Sequence, residues 1–88
     1  VSAGVLSVDA DGLIILMNGP AQKLLLGGDR PAGIGNVLST LAPQINALVE
    51  AGLATGIVTH SRDRELLTLA VKIAETNDGK VITFEDIT

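Results

Sequence analysis

The chain has no cysteine, no tryptophan and no tyrosine, and its one aromatic residue is Phe84. Without cysteine there are no disulfides, thiolate metal sites or cysteine nucleophiles. Without Trp and Tyr, aromatic cages, base-stacking platforms and large aromatic interface anchors are excluded. His60 is the only imidazole, and one His with no Cys rules out a zinc site in practice. Basic residues are also scarce: six against ten acidic ones, for a net charge of −4. The six are scattered and form no stripe that could neutralise a row of phosphates, so nucleic acid is not an expected partner. An anionic membrane surface is not expected to be contacted directly either. No apolar run approaches the roughly 18 residues of a membrane span, and no signal peptide is visible. The absence of cysteine suits the cytoplasm.

What is present is aliphatic. Hydrophobic residues make up 47% of 88 residues, enough for one core and one domain, residues 1–88. Residues 4–9 read as a short strand. Asp9-Ala10-Asp11-Gly12 reads as a turn, with Gly12 free to take positive φ. Residues 13–17 are a continuous apolar run of strand length, completing a hairpin. Asn18 is placed to cap a helix, its side chain accepting from an orphan backbone N–H. Pro20 falls in that helix's first turn, where its missing N–H is not needed, and Gly27-Gly28 ends it. Residues 29–36 are a Gly- and Pro-rich loop. Leu38, Leu41, Ile45, Leu48 and Val49 recur at spacings of three and four, which predicts an amphipathic helix. Pro43 interrupts it and starts its longer second part.

Three strands are predicted next. Residues 57–60 form a short one, and Arg62-Asp63-Arg64-Glu65 is a charged connection. Leu67, Leu69, Val71 and Ile73 give one apolar face, with Thr68, Ala70, Lys72 and Ala74 opposite. Asn77-Asp78-Gly79 is a strong hairpin signal before the last strand, residues 81–85. The predicted fold class is α+β: a five-stranded, mostly antiparallel sheet with helices on one face, in the order β-β-α-α-β-β-β. Leu6, Val8, Leu24, Leu41, Ile45, Leu48, Leu69, Val71 and Phe84 are the expected core.

Several fragments of catalytic or binding motifs are present, and each has a plainer reading. Asp9-Ala10-Asp11-Gly12 begins like a calcium loop, but Leu13 takes the next ligand position and Ile14 the required Gly. Gly79-Lys80 lacks the first glycine of a phosphate loop, where Ala74 stands, and has Val81 for its Ser or Thr. Gly33-Ile34-Gly35 follows no strand and has Leu38 at its third glycine position. His60, Ser61 and Asp63 are the residue types of a hydrolytic triad, but sequence neighbours on a strand point to alternate faces. His60 has the chemistry of an axial haem ligand; beside Thr59 and Ser61 it reads as an exposed or edge-strand histidine.

Three segments carry a family resemblance. Val5-Leu6-Ser7-Val8-Asp9-Ala10-Asp11-Gly12 with Leu13-Ile14-Ile15-Leu16-Met17-Asn18 resembles the opening hairpin of PAS domains. Asn18-Gly19-Pro20-Ala21-Gln22-Lys23-Leu24-Leu25-Leu26-Gly27 resembles the helix that follows it. Val81-Ile82-Thr83-Phe84-Glu85-Asp86-Ile87-Thr88 resembles their final strand with its Asp-Ile-Thr ending. The first and last segments are most similar to the cytoplasmic PAS domain of NtrY-type nitrogen-regulation sensor histidine kinases. The resemblance covers nearly the whole chain.

It implies a non-catalytic sensory and signal-relay domain of a bacterial two-component system, excised from a longer protein. Such a domain is cytoplasmic, and its parent is anchored in the inner membrane. The implied partners are a second copy in a homodimer, the kinase core of the parent chain and, through the parent, a response regulator. Asp86 and Thr88 would form the junction that relays the signal, by capping a linker helix beyond the final strand. Thr68, Ala70 and Ala74, small and outward, would let a flanking helix or partner pack on the sheet. Leu41, Ile45, Leu48, Leu69, Val71 and Phe84 are the candidate lining of a pocket between helices and sheet. The chain is short and poor in aromatics for the family, which argues for a small aliphatic pocket with no cofactor. Flavin photosensing in the family needs a reactive cysteine, absent here. The alternatives are a small-ligand or haem-binding sensor, with His60 as haem ligand, and a PAS domain of a transcriptional regulator.

Overall fold

Buried and exposed residues alternate along every long strand, and this alternation fixes which face of the sheet meets the helices. In a computed structural model of the protein, which describes residues 3–27, 34–62 and 64–88, the first strand β1 (Gly4–Asp9) buries Gly4, Leu6 and Val8. The turn after it is held by Asp9: its carboxylate accepts the N–H groups of Asp11 (2.9 Å) and Leu13 (3.0 Å). Gly12 closes the turn at φ 82°, a left-handed conformation that side chains disfavour. Strand β2 (Ile14–Met17) returns antiparallel to β1. Leu13, expected in this strand, instead makes an isolated bridge to Val37, and residues 35–37 lie along the edge of β2.

Helix α1 (Gly19–Leu26) starts at Asn18, as the capping pattern predicts, and ends at Gly27. The second amphipathic segment is two helices, α2 (Leu38–Leu41) and α3 (Pro43–Glu50), joined through Ala42 with Pro43 at the first position of α3. At the end of α3 the N–H of Gly52 bonds to Val49 and that of Leu53 to Leu48, with Gly52 at φ 73°. This is the double-bonded C-terminal motif that a glycine makes inexpensive.

Strands β3 (Thr55–Arg62), β4 (Glu65–Glu75) and β5 (Gly79–Asp86) complete a single sheet in the order β2-β1-β5-β4-β3, every neighbouring pair antiparallel. The last strand therefore lies in the centre, between the first and the fourth. Leu67, Leu69 and Val71 are buried, Ile73 packs against them, and Thr68, Ala70, Lys72 and Ala74 face outward, as the alternation predicts.

Leu6, Val8, Ile45, Leu69, Val71 and Phe84 are buried in one cluster with Ile14, Leu25, Leu38 and Ile82. Each such side chain contributes about 1.5–3 kcal/mol of burial free energy. Leu24, Leu41 and Leu48, expected in the core, pack against it but are only partly buried, because the helices that carry them are one or two turns long and leave one flank in solvent. Gly4 has a specific packing role: a Cβ there would lie 2.6 Å from the Phe84 ring and 3.0 Å from the Cα of Ala21. The missing side chain lets the one aromatic residue sit between β1 and α1.

The structure also differs from the sequence reading in three places. Strand β3 is longer than residues 57–60, because its ladder with β4 continues to the Arg62–Glu65 pair. An ion pair of 3.1 Å joins those two side chains, so two of the four residues of the charged connection, Arg62 and Glu65, belong to strands; Asp63 lies outside the described residues. The hairpin predicted at Asn77-Asp78-Gly79 joins β4 and β5, closed by the Thr76–Gly79 bond, but β5 starts at Gly79, paired with Asp9, rather than at residue 81. His60 does lie on an edge strand, but it is buried, at 5% exposure, because its position opposite Leu67 turns it toward the core. Most of the Gly- and Pro-rich loop, including Gly33, and Gly28 before it lie outside the described residues.

Candidate functional site

The final strand ends in a short hydrogen-bonded knot. The Asp86 carboxylate accepts the backbone N–H of Thr88 (2.9 Å) and also its hydroxyl proton. The same hydroxyl oxygen accepts the N–H of Thr68 (2.9 Å), and the N–H of Ile87 donates to the Thr68 carbonyl (2.8 Å). Asp86, Ile87 and Thr88 are thus fastened to β4 by side-chain as well as main-chain bonds. An aspartate accepting the N–H two residues on is in the arrangement of a helix N-cap. The hydroxyl of Thr88, then its N–H, and to a lesser degree the Arg62 charge hold the Asp86 carboxyl below its ordinary pKa, since each favours the ionised form.

Asn18 does more than cap α1. Its Oδ1 accepts from Ala21 (2.9 Å), as a cap should, and also from the N–H of Val5 (2.9 Å). Its Nδ2 donates to the Ala3 carbonyl (3.2 Å), and its own N–H bonds to the Val5 carbonyl (2.9 Å). One side chain therefore ties the helix start to β1.

At the other end of α1, two β3 side chains reach last-turn carbonyls: that of Leu25, and that of Lys23, which also accepts the N–H of Gly27. His60 Nε2 lies 2.9 Å from the Leu25 carbonyl and Arg62 donates to that of Lys23 at 2.7 Å. A carbonyl can only accept, so Nε2 carries the proton.

Of the candidate pocket residues, Ile45, Leu69, Val71 and Phe84 are fully buried and meet in one core, with Leu41 and Leu48 against them. Three hollows are open to solvent. One of about 340 Å³ lies on the sheet's outer face over Ala70, Lys72, Thr83 and Glu85. A second, of about 260 Å³, separates the Asp9 turn from α3, and a third, of about 330 Å³, lies beyond the end of α3 near Ile73 and Lys80. Among the described residues no group of three or more metal-ligating side chains converges, and no helix is long and apolar enough to cross a membrane.

No protein-family model and no curated protein sequence matches this chain. Solved structures do. The PAS domain of a protein from Colwellia psychrerythraea superposes with a TM-score of 0.71 at 20% identity, over 100% of this chain and 88% of that one. The photoactive yellow protein domain of the sensor histidine kinase Ppr from Rhodospirillum centenum gives 0.65 at 20% identity, over 97% and 92%. A domain of an HTR-like protein from Haloarcula marismortui gives 0.59 at 17%, over 98% of each chain. With its five-stranded antiparallel sheet, its order of strands and helices and these superpositions, the chain has the PAS fold.

Proposed function

We propose that the chain is the sensory and signal-relay domain of a bacterial two-component sensor histidine kinase of the NtrY nitrogen-regulation type. In this reading it is one domain of a longer protein anchored in the inner membrane, and it lies on the cytoplasmic side. It is non-catalytic, binds neither haem nor flavin, and works as a homodimer. It passes a conformational change to the kinase core, which addresses a response regulator. The observation that carries the reading is the Asp86–Thr88 knot. A sensory domain must convert a change in its sheet into a change in the direction of the chain that leaves it. The knot couples the end of β5 to Thr68 of β4 through the Thr88 hydroxyl, and the same Asp86 carboxylate presents the N-cap arrangement. A shift between β4 and β5 changes both together, and paired linkers in a dimer carry it onward. The solved structure similar in fold from a sensor histidine kinase is in keeping with this role.

Asp86→Ala in the full-length kinase should change autophosphorylation in the resting state, the activated state or both. Asp86→Asn, which keeps an acceptor for the Thr88 N–H, should lie between alanine and wild type. The isolated domain should keep a thermal midpoint near that of wild type, since the carboxylate is fully exposed. Wild-type autophosphorylation in both states of the alanine variant would refute the relay.

The pH dependence has a definite sign. A carboxyl whose pKa is lowered by folding stabilises the folded arrangement above its unfolded pKa, and this is lost as the pH falls through the lowered folded value. The knot should therefore be intact at neutral pH and open only below the ordinary carboxylate range. The amide resonance of Thr88, followed by NMR during acid titration, should report the opening. A transition near neutrality would contradict it.

A further inference from the structure

The two edges of the sheet differ in how they are protected. Strand β2, at one edge, is four residues long, and its register with β1 shifts between Ser7 and Val8. Its first residue, Ile14, bonds to Gly35 and Asn36. A short strand, a bulge and a covering segment all keep a sheet edge from pairing further. Strand β3, at the other edge, has none of the three. It is eight residues long and its ladder with β4 is regular over all eight pairs. Residues 55–61 include no proline, no lysine and no carboxylate.

One bond fixes the direction of the free groups on β3. The N–H of Ile73 donates to the Ala54 carbonyl at 2.7 Å. Opposite residues in an antiparallel ladder alternate between bonded and non-bonded pairs, so Gly56, Val58, His60 and Arg62 also turn their main-chain groups toward β4. Thr55, Ile57, Thr59 and Ser61 turn theirs outward, as a row of N–H and carbonyl groups that bond to no other described residue. Their side chains are exposed on the helix-free face, Ile57 at 69%. An incoming strand thus finds a hydrogen-bonding edge with an apolar contact near its centre.

The Ser61 end of this row is basic. Arg62 pairs with Glu65 and reaches the Lys23 carbonyl, which brings the end of α1 to the end of β3. The Lys23 and Arg64 side chains there are exposed and meet no carboxylate among the described residues. Every strand pair in the sheet is antiparallel. A strand added in the same sense starts opposite Ser61 and finishes opposite Thr55, which lays its first residues beside those cations. A second copy of β3 in that place would bring Leu53, Ala54 and Thr55 there, none of them charged. An acidic leading residue answers Lys23 and Arg64; a second copy does not.

We propose that the open edge of β3 docks an extended segment of a partner protein by antiparallel strand addition, the segment leading with acidic residues and continuing in β-branched ones that meet Ile57. This interface goes beyond the relay reading and does not depend on it.

NMR titration of the 88-residue chain with the synthetic peptide acetyl-Asp-Glu-Val-Thr-Val-Thr-Val-Thr-amide tests it. The amides of Ile57, Thr59 and Ser61 should shift and gain protection from hydrogen exchange, while those of Val58 and His60, already in the ladder, should change little. A peptide led by Lys-Lys instead of Asp-Glu should bind at least ~10-fold more weakly, because it sets like charges together. Thr59→Pro removes one outward N–H and spares the β4 ladder, since proline is tolerated where the N–H of an edge strand faces solvent. It should leave the circular dichroism spectrum unchanged and weaken binding about 10-fold through the lost bond. A peptide N-methylated at its valines blocks the same row without altering the protein, and should not bind. An absence of shifts at about 1 mM peptide, typical of no specific association, would overturn the interface. So would methylated and unmethylated peptides that bind alike, or a lysine-led peptide that binds as well as the acidic one. Protection of the same amides that grows with protein concentration alone would give the edge to a second copy and overturn the partner. The Asp86 relay stands in each case.

Discussion

Alanine at Gly79 is expected to lower the unfolding free energy by about 3 kcal/mol, the upper end of what overpacking costs. Its Cβ would lie 2.0 Å from the Val8 carbonyl oxygen and 2.9 Å from the Cα of Asp9. Both are main-chain atoms of the neighbouring strand, so no side-chain rotation can make room. The β1–β5 ladder must open at its Asp9–Gly79 end, and the Thr76–Gly79 bond that closes the β4–β5 turn shifts with it. Gly19→Ala is the matched comparison. It sits at the start of α1 with nothing within 4 Å of its added methyl, and should be neutral or stabilising by about 0.4–1 kcal/mol through the unfolded chain. Urea denaturation of the two variants measures the difference. Equal midpoints would mean that β1 and β5 are not in this register.

Asn18→Ala should be the next most damaging, at about 2–3 kcal/mol. Loss of the cap on Ala21 accounts for ~1 kcal/mol. The rest comes from the Val5 N–H and the Ala3 carbonyl, which lose their partner at a half-buried site. An unsatisfied buried donor costs about 1–3 kcal/mol. Asn18→Asp separates the contributions: it keeps the acceptor for Val5 and Ala21 and forfeits only the bond to Ala3, so it should recover most of the loss. Hydrogen exchange adds a local readout, because the Val5 amide should lose protection in the alanine variant more than in the aspartate one. A loss below ~1 kcal/mol for alanine would show that the cap acts alone.

These residues mark where local pattern stops being informative. The alternation from Leu67 to Ile73 names its own inward face, and Asn18-Gly19-Pro20 names a helix start, because both depend on residues a few positions apart. The bond from Asn18 to Val5 spans thirteen positions, and nothing near either residue announces it. Asn77-Asp78-Gly79 names the hairpin between β4 and β5, but the close approach of Val8 that only a glycine at 79 allows comes from strand order and is not local. His60 reads as an exposed or edge-strand residue because its neighbours are Thr59 and Ser61, and the edge strand is there but the exposure is not. Its burial depends on the pairing opposite Leu67 and on α1 ending above it. The extra length of β3 likewise comes from its ladder with β4, not from its composition. At the strand end, the capping chemistry of Asp86 and Thr88 could be read from residue types. Their attachment to Thr68, twenty positions away, could not.

The central place of β5 has a consequence for the order in which the protein can be made. Synthesis runs from the N-terminus, so the β1–β2 hairpin, the helices and the β3–β4 hairpin all leave the ribosome before the strand that joins them. Until residues 79–86 emerge, β1 and β4 each present an open edge, and the two halves of the sheet share no ladder. Unpaired edges of this kind invite pairing with other nascent chains, and long-range ladders form more slowly than local ones. The strand that closes the sheet also ends in the Asp86–Thr88 knot, so completing the fold and fixing the knot to β4 are one event during biosynthesis. A relay built there has no working half-formed state.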